Sequence, residues 1–247
     1  MASRRSNHPR ECSSTEREGH PSTSRVRASS LPLPDTVLHD KVHELVDFVL
    51  LKYNNQETTT KAEMLHCVLQ DCQEHFPRIF SKASECLYMV FGIDVKEPEP
   101  PEQIYALVPV LDLTYNRMLA GEHGIPKTSL LIIILSIIFI KGNHVHEEVL
   151  WEMLGRMQVY EGQEHYAYGE PRQVITEHLV QEGYLVYRQV PDSSPARYEF
   201  LWGPRAHAET TKLKVLEHLA KVIGKDPQSY PRLYAEALRE EPVAPQI

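Results

Sequence analysis

Apolar residues recur every three or four positions through the first part of the chain, the spacing that is typical of helices with one buried side. The first series predicts a helix that ends near Asn54, and its buried positions are Leu38, Val42, Leu45, Val46 and Val49. Thr60 then precedes Glu63 by three residues, a capping-box arrangement that predicts the start of a second helix. The inward positions of this second helix are Met64, Leu65 and Val68.

A third helix is predicted to follow Pro77 and to end at Gly92, with inward positions Phe80, Ala83, Leu87 and Val90. Two short strands come next, Ile93–Lys96 and Tyr105–Val110. They are separated by a turn at Pro98–Pro101, where proline cannot donate a hydrogen bond to a sheet. Three helices followed by a hairpin form the complete element order of a winged helix.

The same order recurs after a linker at residues 116–125, although the two halves share no obvious residue identity. Its three helices are predicted over Pro126–Lys141, His146–Met157 and Pro171–Glu182. Gly183 is placed to cap the last of these helices. The segments Tyr184–Val190 and Tyr198–Trp202 are rich in β-branched and aromatic residues, which predicts a second hairpin.

Two further helices are predicted near the end of the chain. One starts at about Glu209, ends before Gly224 and has the inward positions Leu213, Leu216, Ala220 and Ile223; the other covers Tyr230–Arg239. The predicted fold class is α+β, mostly helical, with tandem winged-helix domains and C-terminal helices. The expected domains are a tail at 1–34, a first lobe at 35–115, the linker, a second lobe with the C-terminal helices at 126–240, and a frayed end at 241–247.

The distribution of charge disfavours nucleic acid as a partner. Residues 1–34 are rich in serine and arginine and are predicted to be disordered. Their six arginines and three glutamates give +3, so a total of −8 leaves −11 for the remaining chain. The Pro171–Glu182 helix, which would face DNA, sets Arg172 against Glu177 and Glu182, the wrong sign for contact with phosphates.

One apolar run resembles a membrane span. It covers Leu130–Ile140, eleven residues, whereas a helix needs about twenty to cross the hydrocarbon layer, so we expect a buried core helix and no membrane contact. The cysteines show no disulfide spacing, and the start of the chain lacks a secretory signal pattern. We therefore expect reduced thiols and an intracellular location, in the nucleus, the cytoplasm or both.

The sequence carries no motif of an enzyme. Nucleophile elbows, phosphate-binding loops and dinucleotide fingerprints are missing from it. A zinc site could be drawn from His66, Cys67, Cys72 and His75. However, Cys67 and Cys72 would lie about 140° apart on one helix, so core cysteines beside surface histidines are the favoured interpretation. We expect no catalytic residue, no metal and no cofactor.

Two sets of residues are candidates for binding another protein. Neighbours on a helix lie about 100° apart, so Val49, Leu50 and Leu51 cannot all face the core of their own half. At least one of them is therefore expected to be an exposed apolar anchor, unless the opposite half of the protein covers the run. The second set is Tyr160, Tyr166 and Tyr168, which suit peptide recognition and equally suit a local core.

Long motifs in the chain match a known family. In the second half they are GEPR at Gly169–Arg172, LVQE at Leu179–Glu182, YRQVP at Tyr187–Pro191 and ARYEFLWGPRAHAET at Ala196–Thr210. Further upstream they are LLKY at Leu50–Tyr53, TKAEML at Thr60–Leu65, FGIDVKE at Phe91–Glu97 and PKTSLLII at Pro126–Ile133. From about Leu38 to Glu240 the chain closely resembles the melanoma-associated antigen (MAGE) homology domain of the A/B-like, type I kind.

The resemblance implies a non-enzymatic adaptor. Such proteins bind a RING-type, tripartite-motif-like E3 ubiquitin ligase, enhance or redirect its activity and help select its substrates. A dileucine in the first helix is implicated in docking the ligase. Aligned on Phe48, that pair falls at Val49 and Leu50, with Leu51 next, so Val49–Leu50 and Leu50–Leu51 both remain open as the working pair. On this basis Leu50→Asp is expected to abolish ligase binding without unfolding the domain.

The resemblance also implies a second site, because related proteins hold peptide segments of ligases or substrates in the cleft between the winged helices. The three tyrosines are expected near the mouth of the second half. Histone-deacetylase corepressors are a further candidate partner. The alternative function is a winged-helix, nucleic-acid-binding transcriptional regulator or a corepressor scaffold.

Overall fold

A computed structural model of the chain describes residues 33–97, 104–115 and 126–240. The predicted Pro98–Pro101 turn, the linker at 116–125 and the end at 241–247 lie outside the described residues, as does the tail up to residue 32. The predicted domain boundaries therefore stay predictions. The order of the elements within the described parts can be compared directly with the sequence patterns.

In its described residues, the first winged helix contains three α-helices and three strands. Its elements are α1 (Asp35–Asn54), β1 (Thr59–Thr60), α2 (Lys61–Cys67), α3 (Phe76–Cys86), β2 (Ile93–Lys96) and β3 (Ile104–Pro109). The strands form an antiparallel sheet in the order β1-β3-β2. The predicted capping box is confirmed, because the Glu63 amide donates to Thr60 Oγ1 at 3.1 Å and the Thr60 amide donates to Glu63 Oε2 at 2.8 Å.

The second winged helix repeats this topology. Its elements are α4 (Thr128–Ile140), β4 (Val145–His146), α5 (Glu147–Gly155), α6 (Pro171–Gln173), α7 (Leu179–Gln181), β5 (Leu185–Gln189) and β6 (Tyr198–Trp202). The strand order is β4-β6-β5. In each half a two-residue strand, β1 or β4, pairs with the second strand of the hairpin. The sequence patterns missed both of these strands, because two residues are too few to show an alternation.

The third helix of each winged helix contains a π-helical turn. In the first half, Leu87–Phe91 extends α3 up to Gly92, whose φ is +67°; in the second, Val174–His178 joins α6 to α7. A π turn takes more residues than an α turn, so Phe91 instead of Val90 follows Leu87 against the core. The prediction that Val90 points inward is therefore wrong, and its side chain is 48% exposed.

The C-terminal region consists of α8 (Pro204–Glu209), α9 (Lys212–Ile223) and α10 (Pro231–Glu240). Helix α8 was not predicted as a separate element. The buried side of α9 consists of Lys212, Val215, Leu216, His218 and Ala220. The prediction that Ile223 points inward is wrong, because this last residue of the helix is 50% exposed next to the left-handed cap at Gly224.

Two hydrophobic cores lie side by side in the folded region. The first is built by α1, α2, α3 and the β2–β3 hairpin, and the second surrounds α4. The segment after β3 crosses between them, since Val110, Leu113 and Tyr115 belong to the second core. The mostly helical α+β class with tandem winged helices and C-terminal helices is confirmed. In the described ranges no helix is long and apolar enough to span a membrane.

Candidate protein-binding surfaces

The aliphatic run at the end of α1 is divided between core and surface. Val49 and Leu50 are only 1% and 6% exposed and pack in the first core, whereas Leu51 is 60% exposed. Which residues dock a ligase stays a prediction. However, Leu51 is the member of the run that offers contact area to a partner. A carboxylate at Leu50 would be buried without a partner and would unfold the domain, so the fold-neutral outcome expected for Leu50→Asp has to be abandoned.

The surface around Leu51 is acidic. Asp40, Glu44 and Asp47 precede Leu51 at spacings of three or four residues, so all four lie on one side of α1, and all four are exposed. We call these four residues the α1 outer face. Two cations lie beside this face: Lys41 pairs with Glu44 at 2.6 Å, and Lys52 is held by Glu57 at 2.9 Å and Glu63 at 3.3 Å. The α1 outer face therefore combines one apolar anchor with carboxylates.

A cleft of about 600 Å³ separates the first winged helix from α9. Tyr88, Asp94 and Lys96 line one wall, and Lys214, Glu217, His218 and Lys221 line the other. The Lys221 ammonium lies 3.7 Å from the centre of the Tyr88 ring, a cation–π contact across the cleft. Lys214 forms a second bridge, to Asp112 at 2.7 Å. Charges of both signs line this interlobe cleft.

His218 is buried at the wall of the interlobe cleft, where its ring lies 4.9 Å from that of Tyr88. Burial, and then the neighbouring Lys221, lower the pKa of His218 to about 4. The imidazole is therefore neutral at neutral pH. It contributes an aromatic surface to the cleft and no positive charge.

The tyrosines of the 160–168 loop have different environments. Tyr168 is buried, its hydroxyl lies 3.1 Å from Ser129 Oγ, and burial raises its pKa. Tyr160 and Tyr166 are exposed, Tyr166 by 78%, and the ring of His165 lies between those of Tyr166 and Tyr168. The residues that line the interlobe cleft come from other elements. A role for the tyrosines in peptide binding stays a prediction.

The longest sequence motif, ARYEFLWGPRAHAET, mainly holds the fold together, a role that sequence reasoning missed. Glu209 accepts hydrogen bonds from the Thr114 hydroxyl at 2.6 Å and amide at 2.8 Å, the Tyr184 hydroxyl at 2.6 Å and Arg205 Nε at 2.8 Å. Burial alone would raise the pKa of Glu209, but these bonds lower it to about 2. Arg205 also pairs with Glu182 at 2.6 Å. The network joins the chain leaving the first winged helix to α8.

The two residues before α8 are fixed equally tightly. Trp202 Nε1 donates to the carbonyl of Leu135 in α4 at 2.9 Å. A Cβ on Gly203 would lie 2.2 Å from the carbonyl oxygen of Gly183, so only glycine fits there without a backbone shift. Residues along the ARYEFLWGPRAHAET motif therefore have contacts that stabilise the fold.

In the described parts of the chain, no group of three or more His, Cys, Asp or Glu side chains is arranged to hold a metal ion. Cys72 is buried as expected, but Cys67 is exposed, so the interpretation of both as core cysteines is wrong for Cys67. Helix α2 ends at Cys67, and Cys72 lies beyond it in the turn before α3. The two thiols therefore do not share a helix.

Comparison with known proteins identifies the family. The model of the MAGE homology domain matches residues 100–213. Human melanoma-associated antigen 4 is 52% identical over 233 residues, which are 94% of this chain and 73% of that protein. Human melanoma-associated antigen 8 is 51% identical over 229 residues, 93% of this chain and 72% of that protein. Human melanoma-associated antigen 10 is 53% identical over 231 residues, 94% of this chain.

The chain spans 63% of the length of melanoma-associated antigen 10 and 53% of that of melanoma-associated antigen 11. Among solved structures, a chain of an Nse1-Nse3-Nse4 complex matches with 35% identity and a TM-score of 0.46, covering 83% of this chain and 100% of that one. Relatives that are more than 50% identical and matched over more than two thirds of their length decide the assignment. The chain belongs to the melanoma-associated antigen (MAGE) family.

Proposed function

We propose that this protein is a non-enzymatic adaptor that binds a RING-type, tripartite-motif-like E3 ubiquitin ligase through the α1 outer face. It enhances or redirects the ligase and helps to select substrates. The observation that carries the proposal is the exposure of Leu51, 60%, at the end of an otherwise buried aliphatic run. Family membership supports the proposed class of partner, and the exposed position of Leu51 supports the proposed contact.

The chemistry of the α1 outer face defines what the ligase must offer. A single exposed leucine gains most when it enters an apolar pocket that excludes water. The carboxylates of Asp40 and Asp47 favour lysine or arginine around that pocket and disfavour an acidic surface, whereas Glu44 is already paired with Lys41. We therefore expect the ligase segment to be apolar at its centre and basic at its rim.

The interlobe cleft is the proposed site for a peptide segment of a substrate. Its walls offer the Tyr88 ring, a neutral His218 and both charge signs from Asp94, Glu217 and the lysines. An extended peptide with an apolar side chain flanked by charged ones fits this lining. Catalysis of ubiquitin transfer stays with the ligase and its conjugating enzyme.

The test is affinity purification of the full chain from cells, with bound RING proteins identified by mass spectrometry. The Leu51→Lys variant is expected to lose the ligase, because lysine removes the apolar anchor and adds a positive charge that repels a basic rim. Ile223→Lys is the matched control, since Ile223 is also an exposed aliphatic residue in the last turn of a helix. A folded Leu51→Lys protein that still recovers the same ligase would exclude the α1 outer face as the docking site.

A reconstituted ubiquitination assay with the recovered ligase measures the consequence. Wild-type protein and Ile223→Lys should raise the rate of ubiquitin transfer, and Leu51→Lys should leave it at the level of the ligase alone. Equal stimulation by all three proteins would contradict the proposal.

The alternative of a nucleic-acid-binding regulator receives no support from the charges on the third helix of the second winged helix. Arg172 is the only arginine or lysine in residues 171–181. It forms ion pairs with Glu161 and Glu147 and is not available to phosphates. Titration with a short DNA duplex separates the two functions, because micromolar and strongly salt-dependent binding would favour the regulator.

A further inference from the structure

His39 and His43 form a close pair on the first helix. They are four residues apart on α1, so they lie on one side of the helix, one turn apart. Both side chains are exposed, and their ring centroids are only 4.1 Å apart at an interplanar angle of 59°. The pair lines a groove of about 490 Å³ between α1 and α3, together with Met89 and Val90.

This geometry suits two imidazoles that share one metal ion. Imidazole is a good ligand for zinc, nickel and copper. Ring nitrogens that each lie about 2.1 Å from one ion stand roughly 3 to 3.5 Å apart at ordinary coordination angles. Nitrogens lie on the rims of their rings, so two rings with centroids at 4.1 Å can reach this separation. The helix already holds the side chains together, so little freedom is lost on binding.

A second histidine pair lacks these features. His144 and His146 are two residues apart, with ring centroids at 6.3 Å and nearly perpendicular rings. His146 lies in the strand β4 and His144 directly precedes it; in an extended chain, residues two apart are separated by roughly 6.5 Å along the strand. The close approach of His39 and His43 thus follows from helical spacing and is not a general property of the histidines in this chain.

We propose that His39 and His43 chelate a divalent transition-metal ion of the class that prefers nitrogen ligands, such as Zn²⁺, Ni²⁺ or Cu²⁺. In the described ranges no third histidine, cysteine or carboxylate joins the pair as a ready ligand. Water fills the remaining positions, and these positions are open to a donor atom from a bound partner. The pair lies roughly 80–120° around α1 from Leu51, and binding of an ion by two imidazoles of this chain requires no ligase, so the proposal can be tested without the proposed function.

The experiment is a calorimetric titration of the full chain with NiCl₂. The chain has 13 histidines in all, so the double variant His39→Asn/His43→Asn defines the background from the others. The wild-type protein is expected to bind one Ni²⁺ ion more than the double variant. Each single variant, His39→Asn or His43→Asn, should weaken binding of that ion at least tenfold, because one imidazole alone cannot chelate.

His144→Asn is the matched control, since it removes an exposed histidine from the pair with unsuitable geometry, and it should leave the titration unchanged. Urea unfolding gives an independent measurement, because Ni²⁺ bound across a helical turn stabilises only the folded state. The urea midpoint should rise with Ni²⁺ in the wild type and in His144→Asn, and not in the double variant. Identical titrations and midpoints for the wild type and the double variant, both shown to be folded by circular dichroism, would overturn the proposal.

Discussion

The first helices of the two winged helices have the same place in the topology and opposite surroundings. Both α1 and α4 open a winged helix and precede a two-residue strand. Eleven of the thirteen residues of α4 are buried, because β6, α9 and the π turn after α3 pack around it. Only six of the twenty residues of α1 are buried, on the side that packs against α3. The first helix of the winged helix is therefore a core element in the second half, as α4, and a surface helix in the first half, as α1.

The amino-acid composition of the two helices explains this difference. Helix α4, TSLLIIILSIIFI, contains no charged residue, so every side of it can be buried without desolvating a charge. Helix α1 carries aspartate, glutamate, lysine and histidine between its apolar positions. Its α1 outer face cannot be covered by an apolar core. Among equivalent elements of a repeat, the one with charges on its outer side is therefore the better candidate for binding a partner.

The largest expected effect comes from truncating a buried side chain of α4, which creates a cavity in the second core. Ile138 is fully buried there, and Ile138→Ala should lower the free energy of unfolding by about 2–5 kcal/mol. Urea denaturation followed by circular dichroism measures this change. Leu51→Ala in α1 is the matched truncation of an exposed residue and should change stability by no more than about 0.5 kcal/mol. Similar losses for both variants would remove the distinction between the helices.

The next effect tests the packing that closes the second winged helix over α4. Gly203→Ala places a Cβ 2.2 Å from a backbone oxygen and should cost about 1–3 kcal/mol or more through a forced backbone shift. Gly155→Ala is the control, because the nearest atom to its new Cβ belongs to the Tyr160 side chain at 3.4 Å. We expect Gly155→Ala to be neutral or slightly stabilising in the same denaturation experiment. A neutral Gly203→Ala would show that this close approach is not rigid.

A third prediction concerns the network between the two winged helices. The folded-state pKa of Glu209, about 2, lies below its ordinary value of 4.5. The carboxylate therefore contributes stability that is complete above pH 4.5 and is lost as the pH falls towards 2. Glu209→Gln should cost about 1–3 kcal/mol at pH 7 by weakening charge-assisted hydrogen bonds.

The pH dependence of the difference in stability between the wild type and Glu209→Gln reports on Glu209 alone. Between pH 4.5 and 2 the difference in unfolding free energy between the wild type and Glu209→Gln should shrink towards zero. Parallel stability curves over that range would show that Glu209 is not held in its charged form by Thr114, Tyr184 and Arg205. Denaturant titrations at a series of pH values give both curves.

The order of elements was predictable from the sequence, because helical periodicity, the capping box at Thr60 and the left-handed cap at Gly183 are local signals. The strands β1 and β4 and the separate helix α8 were not, since their formation depends on pairing and packing with distant segments. The outward position of Val90 could not be predicted either. It depends on a π turn, which shifts the helical register after Leu87 without a recognisable sequence pattern.

The candidate site was predictable only in part. Because neighbours on a helix lie 100° apart, one residue of the run at 49–51 was expected to be exposed unless the opposite half of the protein covered it. The sequence could not say which one, because the rotation of α1 is set by its contact with α3. The same holds for the tyrosine loop, where Tyr168 is buried in the second core beside Ser129, a residue remote in sequence. The network around Glu209 joins residues 95 positions apart and left no local signal.

The smallest expected effect sharpens the comparison within α1 itself. Leu51→Lys should leave the free energy of unfolding within about 0.5 kcal/mol of the wild type, or raise it slightly. Asp47 lies one turn earlier, and a cation in the last turn of a helix interacts favourably with the helix dipole. Leu50→Lys, one position away, would bury the charge and should unfold the domain. A folded Leu51→Lys protein and an unfolded Leu50→Lys protein in thermal denaturation would show that the core ends between these two residues. Loss of ligase binding in Leu51→Lys could then be assigned to the changed surface and not to unfolding. A large loss of stability in Leu51→Lys would instead mean that the end of α1 is covered, and the α1 outer face could not be the docking site.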